Sequence, residues 1–140
     1  MVRTPTADMN DAGERRRSRA AVREKLMDIQ RINPREWNSS ASVCGNLVFL
    51  SGTVADDKSL DMKGQTEQVL KKIDAMLAKA GTNKSRILSA TVYMADAARK
   101  DEMNEAWMAW VDRANLPTRT AVGAALTPGT LVEITVCAAK

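Results

Sequence analysis

From Ile29 onward the apolar positions of the chain follow two spacings, one near two residues and one near 3.6, and their succession predicts the elements. Gly45-Asn46 separates Ala41-Ser42-Val43-Cys44 from Leu47-Val48-Phe49-Leu50, which predicts a β-hairpin. Met62, Thr66, Val69, Leu70, Ile73, Met76, Leu77 and Ala80 then fall on one helical face, with Lys63, Glu67, Lys71, Lys72 and Lys79 opposite and Gly81 as the stop. Ile87–Met94 predicts a strand, and Met103, Ala106, Trp107, Trp110, Val111 and Ala114 predict a second helix ending before Pro117. Two last strands, residues 118–124 and 130–138, flank a Thr127-Pro128-Gly129 turn.

The predicted order is β-β-α-β-α-β-β, an α+β fold with a mixed sheet and two helices on one face. Residues 47–50 and 87–94 are apolar on both sides, so the other face of the sheet needs cover as well. Further copies of the chain would supply it, and a homo-oligomer is expected. Ahead of this body, residues 1–12 are polar and expected to be mobile. A helical spacing then runs from near Ala12 through Ala20, Val22, Leu26 and Ile29 until Pro34 ends it. The chain therefore divides into an N-terminal polar, basic helical arm, residues 1–28, and a domain, residues 29–140.

Composition narrows the chemistry. No apolar run approaches the roughly 20 residues of a membrane span, and the start has no apolar signal core, so a cytoplasmic protein is expected. The chain has no histidine, which removes His-activated nucleophiles and most imidazole metal sites. Cys44 and Cys137 sit in apolar stretches and are expected as core thiols. The net charge of +4 divides evenly, +2 on residues 1–28 and +2 on the rest. Only Arg15, Arg16, Arg17, Arg19, Arg23 and Lys25 form a basic run, and without an aromatic among them a solvated arm is favoured over a nucleic-acid contact.

No nucleotide-binding glycine pattern is present, and the acidic pairs Asp56-Asp57 and Asp101-Glu102 suit turns and a helix start. The unusual charges are Arg119 and Glu133, each inside a strand pattern where burial is costly without a partner. If the last two strands pair across Pro128-Gly129, the two charges meet at one end of the sheet. They then form either a structural salt bridge or a site, the arginine fork receiving a carboxylate and the glutamate handling a water.

Several segments together resemble the reactive intermediate deaminases, the RidA/YjgF type. They are Gly45-Asn46-Leu47-Val48-Phe49-Leu50-Ser51-Gly52, Gln65-Thr66-Glu67-Gln68, Ala80-Gly81 before residues 87–95, Met103-Asn104-Glu105-Ala106-Trp107, Pro117-Thr118-Arg119 and Val132-Glu133-Ile134. The resemblance implies a chorismate-mutase-like fold assembled as a homotrimer with sites between subunits. It also implies hydrolysis of 2-imino or 2-enamino acids to 2-keto acids and ammonia, with no metal or organic cofactor. By matching motif, Arg119 would bind the substrate carboxylate and Glu133 would position the water. Gly52 would allow close approach, Asn104 would add a polar contact, and the backbone near Ala121 would accept a hydrogen bond from the imine nitrogen. Thr120 would line the substrate site where a small or thiol residue usually follows the arginine, and Trp37-Asn38 stands where many members have a tyrosine. The alternative within the family is a non-catalytic regulatory trimer that binds a keto acid or another carboxylate in the same pocket.

Overall fold

Strict alternation along residues 132–139 organises the structure. Val132, Ile134, Val136 and Ala138 are buried while Glu133, Thr135, Cys137 and Ala139 are half-buried on the other side, as period-two geometry demands of a strand with one face against a core. The computed structural model describes residues 8–140. This strand, β7 (Val132–Ala139), lies inside a seven-stranded mixed sheet whose other strands are β1 (Ile29–Pro34), β2 (Ser39–Cys44), β3 (Leu47–Leu50), β4 (Thr53–Val54), β5 (Ile87–Met94) and β6 (Thr118–Gly123). The order across the sheet is β1-β2-β3-β7-β5-β6, with β4 also paired to β7. Only β5 and β6 run parallel.

Helices α2 (Met62–Lys79) and α3 (Lys100–Trp110) cover one face. Asp61 caps α2 by accepting from Gly64 N–H at 2.8 Å, and Met62, Val69, Leu70, Ile73 and Leu77 form its buried stripe. The fully buried Gln65 on the same stripe donates to Leu60 O and Gly129 O and accepts from Leu131 N–H at 2.9 Å. One amide thus ties α2 to the turn that leads into β7. A buried amide is tolerable only when so satisfied.

The two helices, the hairpin at Gly45-Asn46 and the strand at residues 87–94 form where the pattern predicts them. Four features differ. The helical arm α1 (Asp8–Met27) stops before Ile29, and residues 29–34 are a strand pairing antiparallel with β2 rather than the end of a helix. The expected polar lead-in falls partly on residues 1–7, outside the described residues. Second, β4 is an additional strand, laid end to end with β3 along β7 after a break at Ser51-Gly52, so the order gains two strands over the prediction. Third, α3 ends at Trp110, leaving Ala114 exposed in the following turn. Fourth, Cys44 and Cys137 are free and half-buried rather than fully in the core.

Stability should follow this burial. Leu77→Ala empties a fully buried position and is expected to cost about 2–5 kcal/mol in urea denaturation. Val22→Ala, on the exposed arm, should stay within about 0.5 kcal/mol.

Candidate functional site

The largest effect of the topology on function is that β6 and β7 do not pair. The connection between them, residues 124–131, passes β5, which sits in the middle, parallel to one and antiparallel to the other. Arg119 is opposite Ala90 and Glu133 opposite Tyr93, so the two are separated by two strand spacings and three residues of offset, roughly 10 Å in each direction. They also point to opposite faces. Arg119 shares the face of its buried partner Ala90, whereas Glu133 alternates with buried Val132 and Ile134 and points away from the helices. The expected meeting of Arg119 and Glu133 at one end of the sheet is therefore corrected: within one chain they are neither a site nor a salt bridge.

Each instead has its own surroundings. Arg119 is half-buried against α3, where its guanidinium donates to Asn104 Oδ1 at 2.7 Å and contacts Met103 Sδ at 3.8 Å. It lies over the Trp107 ring, 5.1 Å from the centroid, and Trp107 in turn meets Trp110 at 5.5 Å. Burial pushes the Arg119 pKa down from its ordinary value, and an arginine so placed remains charged. Ala121 follows on the same face, half-buried, while Thr120 points to the other face and is exposed. Because β6 is an edge strand, alternate backbone groups along Thr118–Gly123 face away from the sheet.

On the other face, Glu133 and Gly52 touch. A Cβ built at Gly52 would run into the Glu133 carboxylate and lie 3.1 Å from its Cδ, so the glycine makes room for that side chain. Thr135, next along β7, fills the break between β3 and β4 by donating to Leu50 O at 2.8 Å. With Tyr93 and residues 124–126 these groups line an open hollow of about 470 Å³. Tyr93, the chain's one tyrosine, is the cross-strand partner of Glu133 and was not picked out among the candidate residues. Its place was legible, since alternation with Val92 and Met94 puts it on the Glu133 face.

Among the described residues, neither Arg119 nor Glu133 takes part in any of the four ion pairs, all of which lie at the surface. A hollow of about 490 Å³ between the end of α1 and the β1–β2 edge is lined largely by Val22, Leu26, Ile29 and Val43. It contains none of the candidate chemistry. Among the described residues no cluster of His, Cys, Asp or Glu is placed to hold a metal ion, and no helix is long and apolar enough to cross a membrane.

Comparison with known proteins identifies the class. The family model described as Endoribonuclease L-PSP matches residues 28–140, and the chain belongs to that family. A RutC family protein from Haemophilus ducreyi is 45% identical over 112 residues, covering 79% of this chain and 96% of that protein. The RutC family protein YoaB from Escherichia coli is 40% identical over 114 residues, covering 81% and 99%. Among solved structures, a YjgF-family protein from Neisseria meningitidis superposes with a TM-score of 0.80 at 37% identity, covering 82% of this chain and 97% of that one. The fold is that of the RidA/YjgF proteins.

The contact between Gly52 and Glu133 can be tested by a double-mutant cycle. Gly52→Ala is expected to destabilise by about 1 kcal/mol through displacing the glutamate, and most of that cost should vanish in a Glu133→Ala background. Chemical denaturation of the four proteins measures it.

Proposed function

We propose that the protein hydrolyses reactive 2-imino and 2-enamino acids to 2-keto acids and ammonia in the cytoplasm, in sites shared between copies of a homotrimer. The observation that carries this reading is the separation of two half-sites onto opposite faces of one sheet. Among the described residues, Arg119 with Asn104 offers a cation in no ion pair, and Glu133 with Gly52 and Tyr93 offers a carboxylate in none. Neither half is complete alone. Two copies packed so that β6 and α3 of one approach the open face of the next would join them. The open face favours such packing, since Leu47 and Phe49 on β3 and Val122 on β6 are exposed there.

In this reading the substrate carboxylate lies on the Arg119 fork, held by charge-assisted hydrogen bonds. The Glu133 carboxylate accepts a proton from a water whose oxygen bonds to the imine carbon. The electron pair of the C=N double bond moves to nitrogen, which takes up a proton, and the backbone near Ala121 accepts a hydrogen bond from it. Glu133 returns the proton it took to the nitrogen of the resulting carbinolamine, and ammonia departs as the hydroxyl proton passes back to the Glu133 carboxylate and the C=O bond forms. Gly52 leaves room for the Glu133 carboxylate to lie against the backbone, and Thr120 lines the cleft from the outward face of β6. An imine carbon is already electrophilic, so orientation and a placed water suffice and no cofactor is required.

Freshly generated 2-iminobutanoate provides the assay. Wild type should accelerate 2-keto acid release, and Arg119→Ala should lower kcat/KM by about 10- to 100-fold. Absence of acceleration by wild type would overturn the reading. Shared sites make a second prediction: Arg119→Ala and Glu133→Ala, each impaired alone, should regain part of the activity when unfolded and refolded together. A mixture no better than its components would show that each chain acts by itself.

A second reading, a keto-acid-binding regulatory trimer, draws on Trp37, which is 82% exposed at the position where the resemblance expects a tyrosine. A 2-keto acid that raises the melting temperature of a wild type without turnover would select it.

A further inference from the structure

Gly52 also borders a second, smaller hollow, about 170 Å³, below the roughly 300–1,000 Å³ of pockets for drug-sized molecules. Its walls come from three separate parts of the chain: Arg35 and Ser40 at the β1–β2 connection, Ser51 and Thr53 around the β3–β4 break, and Lys72 on α2. No carboxylate is among the lining residues. Two cations therefore border a small space whose other walls are the hydroxyl residues, Gly52 and the apolar residues Val54 and Met76.

Each cation is held by a neutral partner, and Lys72 by an acidic one as well. Arg35 Nη2 donates to Ser40 Oγ at 2.7 Å, and Ser40 is only 6% exposed. The loop bearing Arg35 is fixed by Asn33, whose φ of 48° lies in the left-handed region that asparagine tolerates, and by the Arg35 N–H bond to Asn38 O at 2.7 Å. Lys72 Nζ donates to Val54 O at 2.8 Å. Its one acidic partner, Asp56, is 80% exposed, and a pair so open to water competes weakly with an incoming anion. Arg35 is in no ion pair among the described residues and has used one of its five N–H donors on a side chain.

We infer that Arg35 and Lys72 form a binding site for a small oxyanion group, a carboxylate or a phosphate, distinct from the Arg119 position. The guanidinium supplies the paired donors that fit two oxygens, and the ammonium supplies a point charge beside them. The inference does not rest on the proposed reaction, because neither cation belongs to it.

Calorimetric titration of the full chain in an Arg119→Ala background tests the site without the other arginine. Inorganic phosphate and acetate are titrated separately at constant ionic strength set with chloride. Saturable binding of one anion per chain is expected, weakened about 10-fold or more by Arg35→Gln and again by Lys72→Met. The tighter of the two anions identifies the group. Both substituted side chains are at or near the surface, and matching thermal unfolding will establish that the variants are folded. No saturable binding of either anion, or binding that Arg35→Gln leaves unchanged, would overturn the assignment.

Discussion

The alternation of β7 is the constraint on which the remaining geometry depends. This strand is paired to β3 and β4 on one side and to β5 on the other, so its register cannot slip by one residue without turning Val132, Ile134, Val136 and Ala138 out of the core. Four buried apolar side chains, each worth roughly 1–3 kcal/mol, hold Glu133 on the open face. Gln65 reinforces the same register from outside the sheet, since its amide fixes Leu131, the residue immediately before the strand. Glu133 is in no ion pair among the described residues that would hold it at this position. It is carried there by its neighbours.

The sequence revealed the elements that make their own local pattern and concealed those that exist only through pairing. The stripe from Met62 to Leu77 and the Gly45-Asn46 turn could be read directly, because their spacing and turn chemistry are local. Ile29 misleads for the same reason: it continues the spacing of Val22 and Leu26, and only β2, with Ile29 opposite Cys44 and Ile32 opposite Ala41, makes it part of a strand. A two-residue strand such as β4 carries no period at all. The turn at Pro128-Gly129 suggested a hairpin, yet turn chemistry says that the chain reverses and not which strand it returns beside. Arg119 and Glu133 stand out as charges inside strand patterns, Gly52, Asn104, Thr120 and Ala121 are legible only through resemblance, and composition contributes mainly by removing histidine chemistry.

The break between β3 and β4 links packing to the site. A continuous strand through residues 47–54 would satisfy β7 along its length, but at Ser51-Gly52 the ladder pauses, and Thr135 bonds to Leu50 O across the gap. An interruption with a glycine permits close approach of other groups to the backbone, the usual meaning of glycine inside a strand path. Here the approaching group is the Glu133 side chain. The same short segment borders both the open hollow and the Arg35 hollow, so one irregularity serves two surfaces.

The insertion of β5 between β6 and β7 has an electrostatic consequence. Opposite charges brought together within one chain neutralise each other, and a buried pair of that kind is committed to itself. With β5 between them and the faces reversed, neither charge is in an ion pair among the described residues: Asn104, Met103 and the Trp107 ring lie around the arginine, and Gly52, Tyr93 and Thr135 around the glutamate. Partial burial makes such a guanidinium less well solvated, as the downward pKa shift of Arg119 indicates, and raises what it gains from an arriving anion. The fold thus stabilises neither charge with the other, which is the arrangement a binding group requires and a structural salt bridge does not.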